Sequence, residues 1–179
     1  FIDDVIVQPV IHWFKSDDNM KQDIVIQNVK TLIDKMPYKK VIIWCGMIQS
    51  CIDYAKLWSK YFNDYLISID TSIDISEFNS FEEFENKNEK ALLFCAGKHR
   101  EGSDIKNLDC AIFLDFVQNR YCKTFVQCIG RVLRKDKNNI KKSGLIIDIK
   151  AKSSTKIIDK IDEYLEIPKN IFPWEYDYQ

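Results

Sequence analysis

The residues best placed to do chemistry in this chain are Gln127, Gly130, Arg131 and Arg134, in the run Gln127-Cys128-Ile129-Gly130-Arg131-Val132-Leu133-Arg134. Of 26 basic residues only four are Arg, and all four fall between positions 100 and 134. In so Lys-rich a chain, that clustering points to a need for a planar, permanently charged fork, the shape that grips phosphate oxygens two at a time. At 100° per residue a helix through this run gathers Phe125, Cys128, Ile129, Val132 and Leu133 on one face. Gln127, Gly130, Arg131 and Arg134 then form the opposite stripe. The first face is expected to pack and the second to be presented. Gly130 costs such a helix about 1 kcal/mol relative to Ala, a cost that makes sense where backbone or a phosphate must come close.

A second segment carries related chemistry. In Ala96-Gly97-Lys98-His99-Arg100-Glu101-Gly102-Ser103-Asp104-Ile105 two of the five glycines stand close to Asp104. Backbone N–H groups freed by glycine can approach an anion, and Asp104 can accept hydrogen bonds from a ribose or an Arg. The segment follows an apolar run ending at Cys95. Ligands of parallel α/β sheets gather at the carboxyl ends of strands, so we expect it there.

Such residues need a frame. Apolar runs recur at Val41 to Cys45, Tyr65 to Ile69, Ala91 to Cys95, Cys110 to Asp115 and Leu145 to Ile149. Each is short, largely apolar on both faces and rich in Ile, Val, Leu and Phe, as a covered parallel strand should be. Helical patterns lie between them: Met20 to Met36, stopping at Pro37; the stripe Ile48, Cys51, Ile52, Ala55, Ser59, Phe62; and the stripe Ile157, Ile158, Ile161, Leu165. Ser80 with Glu83 reads as a capping box opening a short helix. The alternation predicts a three-layer α/β domain with a mostly parallel sheet flanked by helices.

At 179 residues and 46% hydrophobic content, one core is affordable and two full domains are not. We divide the chain into an incoming segment or linker over residues 1–19, a domain over 20–167 and a tail over 168–179. Val5 to Phe14 is extended, as incoming strand or linker. The tail, with Trp174, Tyr176 and Tyr178, docks on the domain or on a neighbour, and the sequence leaves both open. The chain opens at Phe1, and we expect it to be part of a longer polypeptide. A formal net charge of −1 gives no overall basic field, so nucleic-acid contact must be local. No stretch approaches 18 apolar residues and no signal-peptide pattern opens the chain, so we expect no membrane partner. Six Cys make no C-x-x-C pair, and only His12 and His99 are available beside them, which argues against a zinc site. Cys45, Cys95 and Cys110 lie in apolar runs as small hydrophobes, the usage of a reducing, intracellular setting. Trp13, Trp44 and Trp58 are expected in the core.

The order strand, G-K-x-x-E-G-x-D, strand, Q-x-x-G-R-x-x-R resembles the second, C-terminal RecA-like domain of superfamily 2 helicases and translocases, over roughly Met20 to Lys150. Gly97 to Ile105 looks like that family's motif V, Gln127 to Arg134 like motif VI, and Val41 to Gln49 occupies the place of motif IV. Many relatives have Arg-Gly where this chain has Glu101-Gly102, and Thr near Ala96, which sets it apart from the standard DEAD-box branch. The resemblance implies an ATP site, with Mg²⁺, in a cleft shared with an N-terminal RecA-like lobe, and a DNA or RNA strand crossing both lobes. It makes Arg131 and Arg134 arginine fingers, with Arg131 on the γ-phosphate. Gln127 then links nucleotide state to lobe closure, while Gly102, Asp104 and Gly130 lie by the nucleotide. For the strand the candidates are the turn at Gly46, Met47 and Gln49, the turn at Lys98, His99 and Arg100, and Thr71-Ser72; phosphate and sugar contacts there read no sequence. Arg120 faces the cleft or the solvent.

The chain has no G-x-x-x-x-G-K-[ST] loop and no D-E-x-[DH] after a strand, so we expect the fragment alone to be inactive and Mg²⁺ to be held mainly by the other lobe. The competing reading is a catalytically incomplete helicase-like lobe kept as a nucleic-acid-binding or scaffold module. An unrelated nucleotide-binding α/β domain would need a glycine-rich loop after its first strand, and after Cys45 there is only Gly46. The Ile, Lys and Asn bias is that of an AT-rich genome, as in large DNA viruses, some protists and some bacteria.

Overall fold

The computed structural model describes residues 7–15, 19–73, 75–96, 105–114, 130–150 and 175–178. Five largely apolar runs, rich in Ile, Val, Leu and Phe, form the strands β2 (Lys40–Cys45), β3 (Leu66–Asp70), β4 (Ala91–Cys95), β5 (Cys110–Leu114) and β6 (Ser143–Lys150). With β1 (Gln8–Lys15) and β7 (Glu175–Tyr178) they make one sheet in the order β3-β4-β2-β5-β6-β1-β7, every pairing parallel. The extended segment before residue 15 is thus a strand between β6 and β7, and the end of the tail pairs with β1.

Alternation along the strands divides the core into two clusters, one on each face of the sheet. Ile42 and Trp44, Leu93 and Cys95, Ala111 and Phe113 point one way. Val41, Ile43 and Cys45, Leu92 and Phe94, Cys110, Ile112 and Leu114 point the other. Helices α1 (Asn19–Asp34) and α2 (Ile48–Ser59) cover the second face through Val25, Val29, Ile33, Cys51, Ala55 and Trp58. Helix α3 (Phe81–Asn86), through Phe84, covers the first together with Ile105, Leu108, Val132 and Leu133. These are the three layers the sequence called for.

Local punctuation follows the sequence closely. Helix α1 tightens at Lys35 and Met36, whose amides bond three residues back, just before Pro37, because the residue ahead of a proline is pushed out of helical geometry. The Ser80 hydroxyl accepts from the Glu83 amide and caps α3. Trp44 stacks on Phe113, and Trp58 lies edge-on to Phe94, so both are core residues. Cys45, Cys51, Cys95 and Cys110 are buried thiols outside any disulfide. Among the described residues no helix is long and apolar enough to cross a membrane, and no group of three or more His, Cys, Asp and Glu could hold a metal ion. The stripe from Ile157 to Leu165 lies outside them.

Candidate functional site

The segments that enter β2, β4, β5 and β6 share one feature. Lys39, Lys90, Asn107 and Asn139 all have left-handed backbone, with φ between 53° and 61°, so each chain turns sharply as it enters the sheet. Between the turns before β5 and β6 lies a cavity of about 470 Å³ whose wall includes Arg131, Arg134, Lys106, Lys135, Asp136 and Lys137. Five of these six are cationic. The acidic one, Asp136, is already engaged: it accepts from the Tyr38 hydroxyl at 2.5 Å and from the Ile140 and Lys141 amides at 3.1 and 2.9 Å. What this wall offers is therefore a place for an anion.

The arginine run is partly as expected and partly not. Gly130 has helical backbone, but Arg131 to Leu133 form a turn and Arg134 a bridge. Val132 and Leu133 pack into the core, as their face of the stripe requires. Arg131, placed by helical periodicity on the presented face, is only 5% exposed and lies in the cavity wall, in the turn that follows Gly130. Arg134 remains exposed. No described atom lies within 4 Å of where a Gly130 Cβ would stand, so packing among the described residues does not explain this glycine. Gly144 differs. A Cβ there would lie 2.6 Å from Leu133 Cδ2 and 2.9 Å from the Val132 carbonyl oxygen, so β6 runs against the back of the arginine turn. Gly144→Ala must push that turn outward; a loss of about 1–3 kcal/mol in a thermal or denaturant melt is expected.

Buried charges brace the turn. Lys141 is 4% exposed, and its ammonium donates to the carbonyls of Leu108, Val132 and Arg134 at 2.8, 2.5 and 2.8 Å. Burial lowers its pKa to about 8, against the pull of Asp109 and Asp136. Asp109, fully buried at the start of β5, accepts from the amides of Tyr38, Lys39 and Lys40. Burial pushes its pKa up to about 6, although those amides and Lys141 pull it down. Burial also acts upward on Asp136, but the Tyr38 hydroxyl and the Lys141 and Ile140 amides hold it at about 2. Sequence reading missed Lys106, Lys135, Lys137, Tyr38, Asp109 and Lys141. The one signal was a charged residue set directly before an apolar run, as Asp109 stands before Cys110.

The segment expected at the carboxyl end of a strand does begin there, at Ala96 after β4, but residues 97–104 lie outside the described residues and this cavity stands at the other end of the sheet. A connection between parallel strands starts at the carboxyl end of one and must finish at the amino end of the next. Residues 105–108, which close the segment begun at Ala96, accordingly lie at the amino end of β5, beside Arg131. At the carboxyl ends stand Gly46 and Gln49 after β2 and Thr71 and Ser72 after β3. Gly46 is exposed, Gln49 is exposed and donates to Asp53 at 3.0 Å, and Thr71 is buried with its hydroxyl bonded to Ile73. Five strand steps from Lys40 to Cys45 separate the two ends by roughly 17 Å. The arginines and these candidates thus occupy opposite ends of the sheet. Lys98, His99, Arg100, Gly102, Asp104, Arg120 and Gln127 lie outside the described residues.

A parallel sheet covered on both faces by helices, with a cationic cavity beside an arginine-bearing turn, is the architecture of a RecA-like α/β domain. The family model described as helicase conserved C-terminal domain matches residues 21–136, and the chain belongs to that family. Among solved structures it is similar to the C-terminal domain of the DEAD-box protein Dbp5, at 20% identity and TM-score 0.61, over 98% of this chain and 91% of that one. It is also similar to Mss116p DEAD-box helicase domain 2 bound to an RNA duplex, at 16% identity and TM-score 0.64, over 97% of this chain and 64% of that one. A third is S. cerevisiae Dbp5 bound to RNA and ADP BeF3, at 16% identity and TM-score 0.64, over 96% of this chain but only 41% of that one. No curated protein sequence matches the chain.

Proposed function

We propose that this chain is the C-terminal motor lobe of an ATP-dependent nucleic-acid helicase or translocase, supplying arginine fingers and part of the nucleic-acid track. The observation that carries the reading is the joint presence of Arg131 and Arg134 in one cavity wall with Lys106, Lys135 and Lys137. That donor set suits a triphosphate, and an N-terminal RecA-like lobe would supply the phosphate loop and most of the Mg²⁺ coordination. Bound ATP with Mg²⁺ supplies the transferable γ-phosphoryl group. Arg131 and Arg134 stabilise the charge that spreads over its oxygens, which in related chemistry is worth about 10³ to 10⁵ in rate. Gly102, Asp104 and Gly130 border the nucleotide, and Gln127 links its state to lobe closure.

Nucleic acid is bound by phosphate and sugar contacts from Gly46, Gln49, Lys98, His99 and Arg100, a role supported by the RNA bound to the similar Mss116p domain. The buried thiols suit a reducing, intracellular setting. The Ile, Lys and Asn bias supports a source with an AT-rich genome, of which a large DNA virus is one.

The test is ATP hydrolysis by the full-length protein and by the 179-residue chain, each with single-stranded and duplex DNA and RNA. We expect nucleic-acid-stimulated turnover in the first and none above background in the second. Substituting Lys98 and Arg100 together in the full-length protein is expected to weaken binding about equally for all sequences and to flatten its salt dependence. Nucleic-acid binding without any ATP turnover in the full-length protein would instead establish a scaffold or binding module.

A further inference from the structure

We propose that Lys141 is a positioning residue for the arginine turn, joining it to the segment that follows Gly102 and Asp104. An ammonium has three N–H donors, and here all three are engaged, each by a carbonyl from the backbone of the site. Two of those carbonyls, Val132 and Arg134, belong to the turn that bears Arg131 and Arg134. The third, Leu108, belongs to the segment entering β5, which forms the facing part of the cavity wall. One side chain at the cavity wall therefore sets the spacing between the two segments that a nucleotide would touch, with its three donors committed to the backbone.

Packing alone does not account for a lysine at this position. A buried ammonium is costly unless it is paired and hydrogen-bonded, and an apolar side chain here would leave three carbonyls without this donor. Asp109 at the start of β5 and Asp136 in the turn before β6 balance the charge, and Asp136 also binds the Lys141 amide. The Tyr38 hydroxyl, entering from the segment before β2, holds Asp136 in place.

The same edge of the sheet contains a matched comparison. Lys40 is also fully buried, its ammonium donating to the Glu85 carbonyl at 3.1 Å and lying over the Phe84 ring, yet it touches α3 and not the arginine turn. Loss of either ammonium removes a buried charge and its hydrogen bonds; only loss of Lys141 should release the fingers.

The inference rests on the motor reading above, and the experiment separates the two. Lys141→Met, Lys141→Arg, Lys40→Met and Arg131→Lys are made in the full-length protein. Each is followed by thermal melt, by ATP hydrolysis well below its melting temperature, and by amide hydrogen exchange without nucleotide. For Lys141→Met we expect kcat to fall about 10- to 100-fold with KM for ATP changed less than about threefold, the size of effect a misplacement of about 1 Å produces. Exchange at residues 132–134 should quicken about tenfold or more. Lys141→Arg, which keeps charge and donors, should recover most of kcat. Lys40→Met should lower the melt to a similar degree while leaving kcat and the exchange of 132–134 unchanged.

Equal losses of kcat in Lys40→Met and Lys141→Met would reduce Lys141 to a stability element, as would unaltered exchange of the turn. Should Lys141→Met fail to fold, Lys141→Gln, which keeps the length of a donor but loses the charge and the third hydrogen bond, takes its place: turnover and exchange both like wild type at a shifted melt would overturn the proposal. If Arg131→Lys loses turnover while Lys141→Met keeps it, only this inference fails. If Arg131→Lys keeps it, the finger reading fails and this inference with it.

Discussion

Arg131→Lys in the full-length protein is expected to lose about 10²-fold or more in kcat while the lobe stays folded and binds nucleic acid normally in the absence of nucleotide. Lysine keeps the positive charge but replaces a planar fork with a flexible point charge, which cannot engage two oxygens of a transferring phosphoryl group at once. Because Arg131 is 5% exposed, the substitution will also be felt by the fold, more than its placement on a helical stripe suggested. That effect should stay within about 1 kcal/mol, or roughly 2–4 °C in the melt. The shortened side chain opens onto a polar cavity that water can fill, not onto a dry void. Steady-state ATP hydrolysis beside a thermal melt checks both halves. Lys56→Ala, at an exposed ion pair with Glu77 on α2, serves as the control and should change neither. Unchanged turnover in Arg131→Lys would remove the main support for the motor assignment.

The largest loss of stability is expected from Asp109→Ala. Its carboxylate accepts from three successive amides, those of Tyr38, Lys39 and Lys40, and Lys39 among them is held at a φ of 57°. Removing the carboxylate leaves three donors at the edge of the core without that acceptor and takes a counter-charge from Lys141. At about 1–3 kcal/mol for each unsatisfied group the total reaches on the order of 3–5 kcal/mol, and the melt should fall by roughly 10 °C or more. Asp109→Asn keeps one acceptor oxygen and should lose less.

The pair also carries a pH signature. Burial raises the folded pKa of Asp109 from 3.8 to about 6, so the folded state holds the proton more tightly than the unfolded one. Its contribution is therefore fully present below the unfolded value and is lost as pH rises through about 6. The stability of wild type minus that of Asp109→Asn should accordingly decrease between pH 4 and pH 7. Asp136 acts in a different window, its stabilisation being lost as pH falls from 3.8 through about 2. His12, lowered to about 4 by burial and by Lys35, titrates in both proteins and cancels in the difference. Melts at half-unit steps between pH 4 and 7 measure the slope, and a flat difference would mean that the Asp109 carboxylate is not held up by burial.

Much of the frame was legible because parallel strands covered on both faces leave a plain record. Ala91 to Cys95 was read to the residue, and the strands at Val41, Cys110 and Leu145 to within about two, since most side chains in them had to be apolar. Helices α1 and α3 were legible from one end each, the stop at Pro37 after α1 and the cap at Ser80 before α3, because those residues act on the backbone within one turn and need no distant partner. The family, too, was carried by local spacing, in Gln127 to Arg134 and Gly97 to Asp104.

What the sequence could not give was which residues meet. Tyr38 and Asp136 are 98 positions apart, Lys141 and Leu108 33, and neither pair leaves a periodic trace. Lys40, Lys106, Lys135 and Lys141 look alike in the chain. Only the sheet makes Lys40 and Lys141 buried braces and leaves Lys106 and Lys135 exposed around a cavity. The chain alone determined strand, helix and the clustering of the arginines, because side-chain period and local spacing act over a few residues. The tertiary structure decided that Arg131 is buried and that its turn stands at the amino ends of the strands, opposite Gly46 and Gln49, because the path of a crossover and the depth of a side chain depend on segments brought together only when the sheet closes.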